Sequence, residues 1–385
     1  MASYAVHAAH FVLPGRVCDG GFLMVGGEHF GSWTPEAPEG TKVLDTGDSW
    51  VAPGFVDTHI HGFFGHATTD ADPDGIDEAS LELARRGTTS WLPTTFTDDA
   101  ERIGDACSAI AWAAKRRDFT STAARIQGIY LEGPFFTEKH VGAQNPAYLI
   151  DPSIELLDRW QGLAGGLIRK SAFAPERAGS VEYVSGLRSR GVVGCIGHSD
   201  ATFEEAMRAV DAGAGCFVHT YNGMRGLHHR EPGVVGCAMV SEGTYAELIC
   251  DGKHVDPAAM RTLVRAKGPD HVVPITDCLG CGGLPDGTYV SGGMEVVLKD
   301  GLCYLSDMSS IAGSVLTLAE GVKNLVDWNI VPAERAIRMA TEVAARSAGI
   351  ADLCGTIAPG RMADFVVLGE DLSLRETYVG GHLVQ

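Results

Sequence analysis

An α/β fold, a (β/α)8 TIM-like barrel carrying a small β-sandwich built from both chain ends, is predicted by three observations. From Val51 onward short apolar strands alternate with helical stretches about eight times, the pattern of parallel strands each followed by a crossover helix. Before that, residues 1 to about 52 alternate apolar and polar positions with frequent glycine, as in Gly21-Phe22-Leu23-Met24-Val25-Gly26-Gly27, and read as short antiparallel strands. After it, the run from Gly355 to Leu368 returns to turn and strand and is expected to pair with the N-terminal strands. The expected division is 1–52 plus 346–385 for the sandwich and 53–345 for the barrel. A doubly wound sheet is the alternative, and it lacks a Gly-rich phosphate loop to argue for it.

The first barrel strand runs through Pro53-Gly54-Phe55-Val56-Asp57-Thr58-His59-Ile60-His61. Further strands are expected at Ser90–Leu92, Ile126–Leu131, Leu167–Phe173, Val192–Gly197, Ala214–Val218, Ala246–Ile249 and Val272–Ile275. Helical periodicity falls on Asp77–Arg86, Asp98–Arg117, Ser153–Leu163, Val181–Arg190, Thr202–Ala212, Asp256–Lys267 and Val315–Trp328. Glu295–Leu298 and Leu302–Leu305, around Lys299-Asp300-Gly301, read as a hairpin inserted after the last barrel strand.

Composition narrows the function. The net charge of −19 argues against nucleic-acid and anionic-membrane partners, which select a basic face. No run of 18 apolar residues occurs, and the N-terminus lacks a basic region followed by an apolar one, so a cytoplasmic protein is expected. Ten cysteines without a disulfide rhythm agree with a reducing compartment. Cys278-Leu279-Gly280-Cys281 has no second such pair to complete a structural zinc site, and small residues filling a tight loop is the reading that remains.

Barrel active sites lie at the C-terminal ends of the strands. There the sequence places His59 and His61, Glu132, His198, His219 and Asp277. Side chains alternate along a strand, so His59 and His61 project to the same side and can reach one ion. Each residue has a plain alternative: solvated loop histidines, a helix N-cap at Asp277, satisfied core residues. Together, four imidazoles and two carboxylates at strand ends of one barrel read as a site for one or two divalent metals, with donors suited to zinc or iron.

Motifs spread over nearly the whole chain carry a resemblance: PGFVDTHIHG (53–62), LEGPF (131–135), GAQNP (142–146), GHSDAT (197–202), HTYNGM (219–224), HHREPG (228–233), DGKHV (251–255), TDC (276–278), IAGS (311–314) and GTIAPGRMADFVVL (355–368). In that order they resemble the amidohydrolase superfamily and, within it, the N-acetylglucosamine-6-phosphate deacetylase family. The resemblance implies hydrolysis of the acetamide of an amino-sugar phosphate. It implies that Glu132, His198 and His219 hold the principal metal, most often Zn2+ with Fe2+ as the alternative. His59 and His61, with Glu132 and Asp277, would hold a second, and Asp277 would be the acid–base residue. It also implies substrate contacts at Gln144, Asn222, Gly223, Arg230 and His254, and a homodimer in which Arg230 reaches the neighbouring active site.

Two departures stand out. Gln144 occupies a position where many members carry histidine, and an amide cannot titrate. Gly223 stands where alanine is commoner. Because side chains alternate along a strand, Cys278 is expected to face away from the metal, and His228 and His229 are expected to be solvated loop residues. Three other readings stay open: an epimeric N-acetylhexosamine 6-phosphate as substrate, a cyclic amidase, and a catalytically dead barrel serving as an interaction partner. The second expects a carboxylated lysine near the fourth strand, and the third predicts loss of a ligand.

Overall fold

The computed structural model describes residues 3–116, 122–308 and 310–385. Eight parallel strands form the barrel in chain order: Phe55–Ile60, Thr88–Thr95, Ile129–Phe135, Ile168–Phe173, Val193–Ile196, Ala214–Phe217, Tyr245–Ile249 and Val272–Ile275. Each pairs with the next, from the first to the eighth. The seam between the eighth and the first is closed by other bonds. Thr276 Oγ1 donates to Asp57 Oδ2 at 2.6 Å, the Asp277 N–H to the His59 carbonyl at 2.9 Å, and the His61 N–H to the Cys278 carbonyl at 2.8 Å.

All six residues of the first strand are buried, as expected for a strand covered on both faces. Strands around the barrel contribute to a shared apolar cluster that includes Leu92, Tyr130, Ala172, Cys195, Cys216 and Ile249, so the interior is a packed core. Helices dock outside it with amphipathic faces. Phe203–Ala212 starts with a capping box, in which Thr202 and Glu205 satisfy each other's backbone N–H groups, and it buries Ala206 and Ala209.

The expected helices and strands are present with ends shifted by a few residues. The last residue of the expected helix Asp98–Arg117 lies outside the described residues. The helical segments Ala333–Arg338, Met339–Val343 and Ala344–Ser347 escaped the periodicity reading, and so did the helix Gly233–Val240, between the sixth and seventh strands. The sequence of this last helix, GVVGCAMV, is apolar on every side, so no 3.6-residue contrast marks it. The hairpin is part of a four-stranded antiparallel ribbon covering Gly287–Ser291, Met294–Lys299, Leu302–Leu305 and Ile311–Gly313.

The chain ends build two further sheets. One has four strands, all from residues 4–45. The other has six and mixes Phe365–Gly369, Leu374–Val379 and His382–Leu383 with strands from the first 53 residues. Val6, Leu23 and Phe30 from the first sheet share a core with Phe11, Phe365 and Tyr378 from the second, which makes a sandwich.

Candidate metal centre and active site

His198, His219 and Asp277 each stand two residues beyond the end of a barrel strand, and each has positive φ, at 45°, 25° and 51°. The backbone turns sharply there into the left-handed region, which non-glycine residues enter infrequently and which aspartate and histidine tolerate better than most. The turns swing the three side chains over the barrel mouth. His59 sits within the first strand and His61 just past its end, and Glu132 lies inside the third strand.

These six residues converge as two triads: His59, His61 and Asp277 in one, Glu132, His198 and His219 in the other. Glu132 joins them. Its Oε1 lies 3.1 Å from His219 Nε2 and 3.3 Å from both His198 Nε2 and His59 Nε2, and its Oε2 lies 3.2 Å from His61 Nε2. Asp277 Oδ1 is 3.2 Å from His61 Nε2 and 3.5 Å from His59 Nε2.

The hydrogen bonds on the far side of each ring fix what faces inward. Nδ1 of His61, His198 and His219 donates to the carbonyls of Thr94, His140 and Asn222, at 3.2, 2.8 and 3.1 Å. His59 Nδ1 donates to Glu247 Oε2 at 2.9 Å. With the proton on Nδ1, every Nε2 presents a lone pair. Yet the Nε2 atoms of His198 and His219 are 3.1 Å apart, and those of His59 and His61 3.3 Å. Lone pairs so close, beside carboxylates that only accept, are matched by a cation. The donor set therefore fits a divalent metal.

Without an ion, protons take that place. Burial disfavours charge on His59, yet Glu132, Glu247 and Asp277 push its pKa well above the ordinary histidine value. Burial raises the Glu132 pKa, but the facing imidazoles hold it well below the usual carboxylate range.

Two buried residues beneath the mouth had no place in the sequence reading. Glu247, in the seventh strand, accepts from His59, from the His219 backbone N–H at 3.2 Å and from Lys170 Nζ in the fourth strand. Burial raises the Glu247 pKa, but Lys170 and His59 hold it down at about 2. A signal was available for Glu247, the lone charge in the strand YAELI, but not for Lys170, which stands between Arg169 and Ser171 in IRKSAF. Lys170 also bears on the cyclic-amidase reading: a fourth-strand lysine exists, but it pairs with Glu247 and belongs to neither triad.

The substrate-contact candidates divide. Gln144, Asn222, Gly223 and His254 line a cavity of about 190 Å³ with His61 and Asp277. Gln144 is already committed: its Oε1 accepts the Thr97 N–H at 2.7 Å, and its Nε2 donates to Glu132 Oε2 at 2.6 Å. A backbone N–H can only donate, so the amide has one orientation, with its NH2 on the metal-facing carboxylate. Gly223 has φ of 57°, and a Cβ there would lie 3.1 Å from His198 Nδ1, which favours glycine over alanine. His254 Nδ1 is paired with Asp251 Oδ2 at 2.6 Å.

Arg230 does not line that cavity; it is exposed, with its guanidinium on His229 Nε2 at 2.9 Å. His228 and His229 are exposed beside it. Among the described residues lining the cavity there is no lysine or arginine. Cys278 is buried in an apolar cluster that also contains Phe63. Strand alternation is not the reason, because the eighth strand ends at Ile275.

Comparison with known proteins follows the same lines. The sequence profile of the Amidohydrolase family matches residues 50–384. The N-acetylglucosamine-6-phosphate deacetylase of Vibrio furnissii is 39% identical over 87% of this chain and 82% of its own. The N-acetylgalactosamine-6-phosphate deacetylase of Escherichia coli O157:H7 is 36% identical over 90% of each. Among solved structures, a mutant N-acetyl-D-glucosamine-6-phosphate deacetylase from Mycobacterium smegmatis, in complex with N-acetyl-D-glucosamine-6-phosphate, superposes with a TM-score of 0.94 at 28% identity, covering 100% of both chains.

Proposed function

The chain belongs to the amidohydrolase family, and from that premise we propose that it hydrolyses N-acetylglucosamine 6-phosphate to acetate and glucosamine 6-phosphate. The observation that carries this reading is the joining of both triads through Glu132 with Asp277 at the edge of the cavity. Curated relatives named for this reaction cover most of the chain.

Glu132, His198 and His219 would hold the principal ion, and His59, His61 and Asp277 a second; nitrogen and oxygen donors in this ratio suit Zn2+, with Fe2+ as the alternative. A bound cation supplies Lewis acidity, acidifying water and polarising the acetamide oxygen. Asp277 takes the proton of the attacking water and returns it to the departing nitrogen, because an amine anion is too poor a leaving group. Its partly open position lets it meet solvent and substrate, whereas Glu132 is buried against four imidazoles. Gly223 lets the chain run close to His198, and Asn222 lines the wall beside it.

The phosphate needs cations, and among the described residues lining the cavity there is no lysine or arginine, only the His254 imidazole to offer it a hydrogen bond. Arg230 is on an exposed loop, where a second copy of the chain could present it, and its planar guanidinium grips phosphate oxygens in a fork. A homodimer is part of this proposal. A protein of net charge −19 repels a dianion at long range, so close cations must do the recognition.

A second substrate, the 6-phosphate of N-acetylgalactosamine, is favoured by the relative named for it. Acetate release from a panel of phosphorylated and free N-acetyl sugars, with metal content measured on the same preparation, decides between them. Release from free sugars alone, or from none, rejects the reading.

A further inference from the structure

The barrel core beneath the triads holds a charged pair where an apolar one would pack. Lys170 and Glu247 are both fully buried, reaching each other from the fourth and seventh strands among neighbours such as Tyr130, Cys195 and Cys216. A buried ion pair is weak evidence of stabilisation, since well-packed apolar residues often serve as well or better. Neither residue lines the cavity, so neither touches substrate.

What the pair does touch is His59. Lys170 occupies Glu247 Oε1, leaving Oε2 to accept from His59 Nδ1 at 2.9 Å and from the His219 N–H at 3.2 Å. The other three imidazoles use backbone carbonyls for the same purpose. A carboxylate holds the tautomer more firmly than a carbonyl does and makes the opposite nitrogen a stronger donor to a metal. The histidine with two charged residues devoted to it thus belongs to the triad that the sequence alone leaves open to occupancy or vacancy.

We propose that Glu247, anchored by Lys170, is a positioning residue that fixes the Nδ1–H tautomer of His59 and thereby makes the His59, His61 and Asp277 triad a working second cation site. The inference deepens the metal-centre reading above, and its test needs no substrate, so it can fail while deacetylation stands.

The test follows from hydrogen-bond logic. In Glu247→Gln one end of the side chain becomes an NH2 group. If its oxygen faces Lys170, the NH2 confronts the His59 and His219 N–H groups; if it turns over, the NH2 confronts the ammonium. The charged ammonium holds the oxygen more strongly than two neutral N–H groups do, so the NH2 stays on the His59 side, and His59 escapes the clash of donors by moving its proton to Nε2, where the metal should be. Replacing the lysine as well, in Lys170→Met with Glu247→Gln, frees the amide to turn its oxygen toward His59.

Metal-free protein titrated with Co2+, followed by visible absorption against a competing chelator, should take two ions, and His59→Asn one. Glu247→Gln should weaken the second ion about 10–100-fold and leave the first within about threefold, and the double variant should recover most of the loss. A single Co2+ in the unaltered protein, no loss in Glu247→Gln, equal loss at both positions, or no recovery in the double variant overturns the proposal. Should Glu247→Gln not fold, ring-nitrogen NMR of the Zn2+-loaded unaltered protein, with His59 assigned from His59→Asn, decides. A proton on His59 Nδ1 is expected, and a proton on Nε2 overturns it.

Discussion

Asp277→Asn isolates proton transfer from everything else Asp277 does. The residue has φ of 51°, a conformation that asparagine tolerates nearly as well as aspartate. Its backbone bonds, to the His59 carbonyl and from the Ser314 N–H, both at 2.9 Å, are indifferent to the side chain. The fold and the loop geometry should therefore persist. The amide can neither take the proton of water nor return it to nitrogen, and such assistance is worth on the order of 10²–10⁴ in rate, or about 3–5.5 kcal/mol of barrier. Part of the second triad's charge is lost too, because Asp277 Oδ1 lies 3.2 Å from His61 Nε2. The assay is acetate release at saturating substrate, with metal counted on the same sample. kcat should fall by that factor while Glu132, His198 and His219 keep their ion. Turnover within tenfold of the unaltered protein, in a sample with full metal content, would refute Asp277 as the acid–base residue.

Gln144→Leu removes a hydrogen bond to a charged carboxylate, about 1.5–3 kcal/mol, so metal affinity should drop roughly 10–150-fold; a raised KM with unchanged affinity would make Gln144 a substrate contact instead. Arg230→Ala should lower kcat/KM for the sugar phosphate by a similar factor and leave free N-acetylglucosamine nearly unaffected. If both fall equally, the arginine supports the fold or the dimer. Proton linkage gives a fourth prediction. Raised histidine pKa values, as at His59, stabilise the metal-free fold fully below the unfolded value of about 6.5, and that contribution is lost as pH rises through the folded value. Metal binding needs the same imidazoles neutral and gains about tenfold per pH unit for each proton displaced. The difference in Tm with and without metal should widen from pH 6 to pH 8, and a constant difference would contradict the linkage.

The barrel and the six converging residues were legible along the chain because both obey local rules. Strand alternation and helix periodicity repeat within short windows, and metal donors at strand ends fall at predictable places once the strands are known. Glu132 and His198 could be named without knowing that they lie 3.3 Å apart. The Gly233–Val240 helix was not legible, because an apolar run has no period. The tertiary structure alone decided which residues meet across the barrel. Lys170 and Glu247 lie 77 positions apart, and only the closing of the sheet puts the ammonium on the carboxylate and the carboxylate under His59. It also decided what Gln144 is for, since the Thr97 N–H that orients its amide comes from a strand-end loop 47 residues earlier. Arg230 shows the same division from the other side. Its motif is local and readable, but the structure sets it on an exposed loop away from its own cavity. Sequence patterns report the path of the backbone, whereas hydrogen bonds between distant side chains exist only after that path has closed on itself.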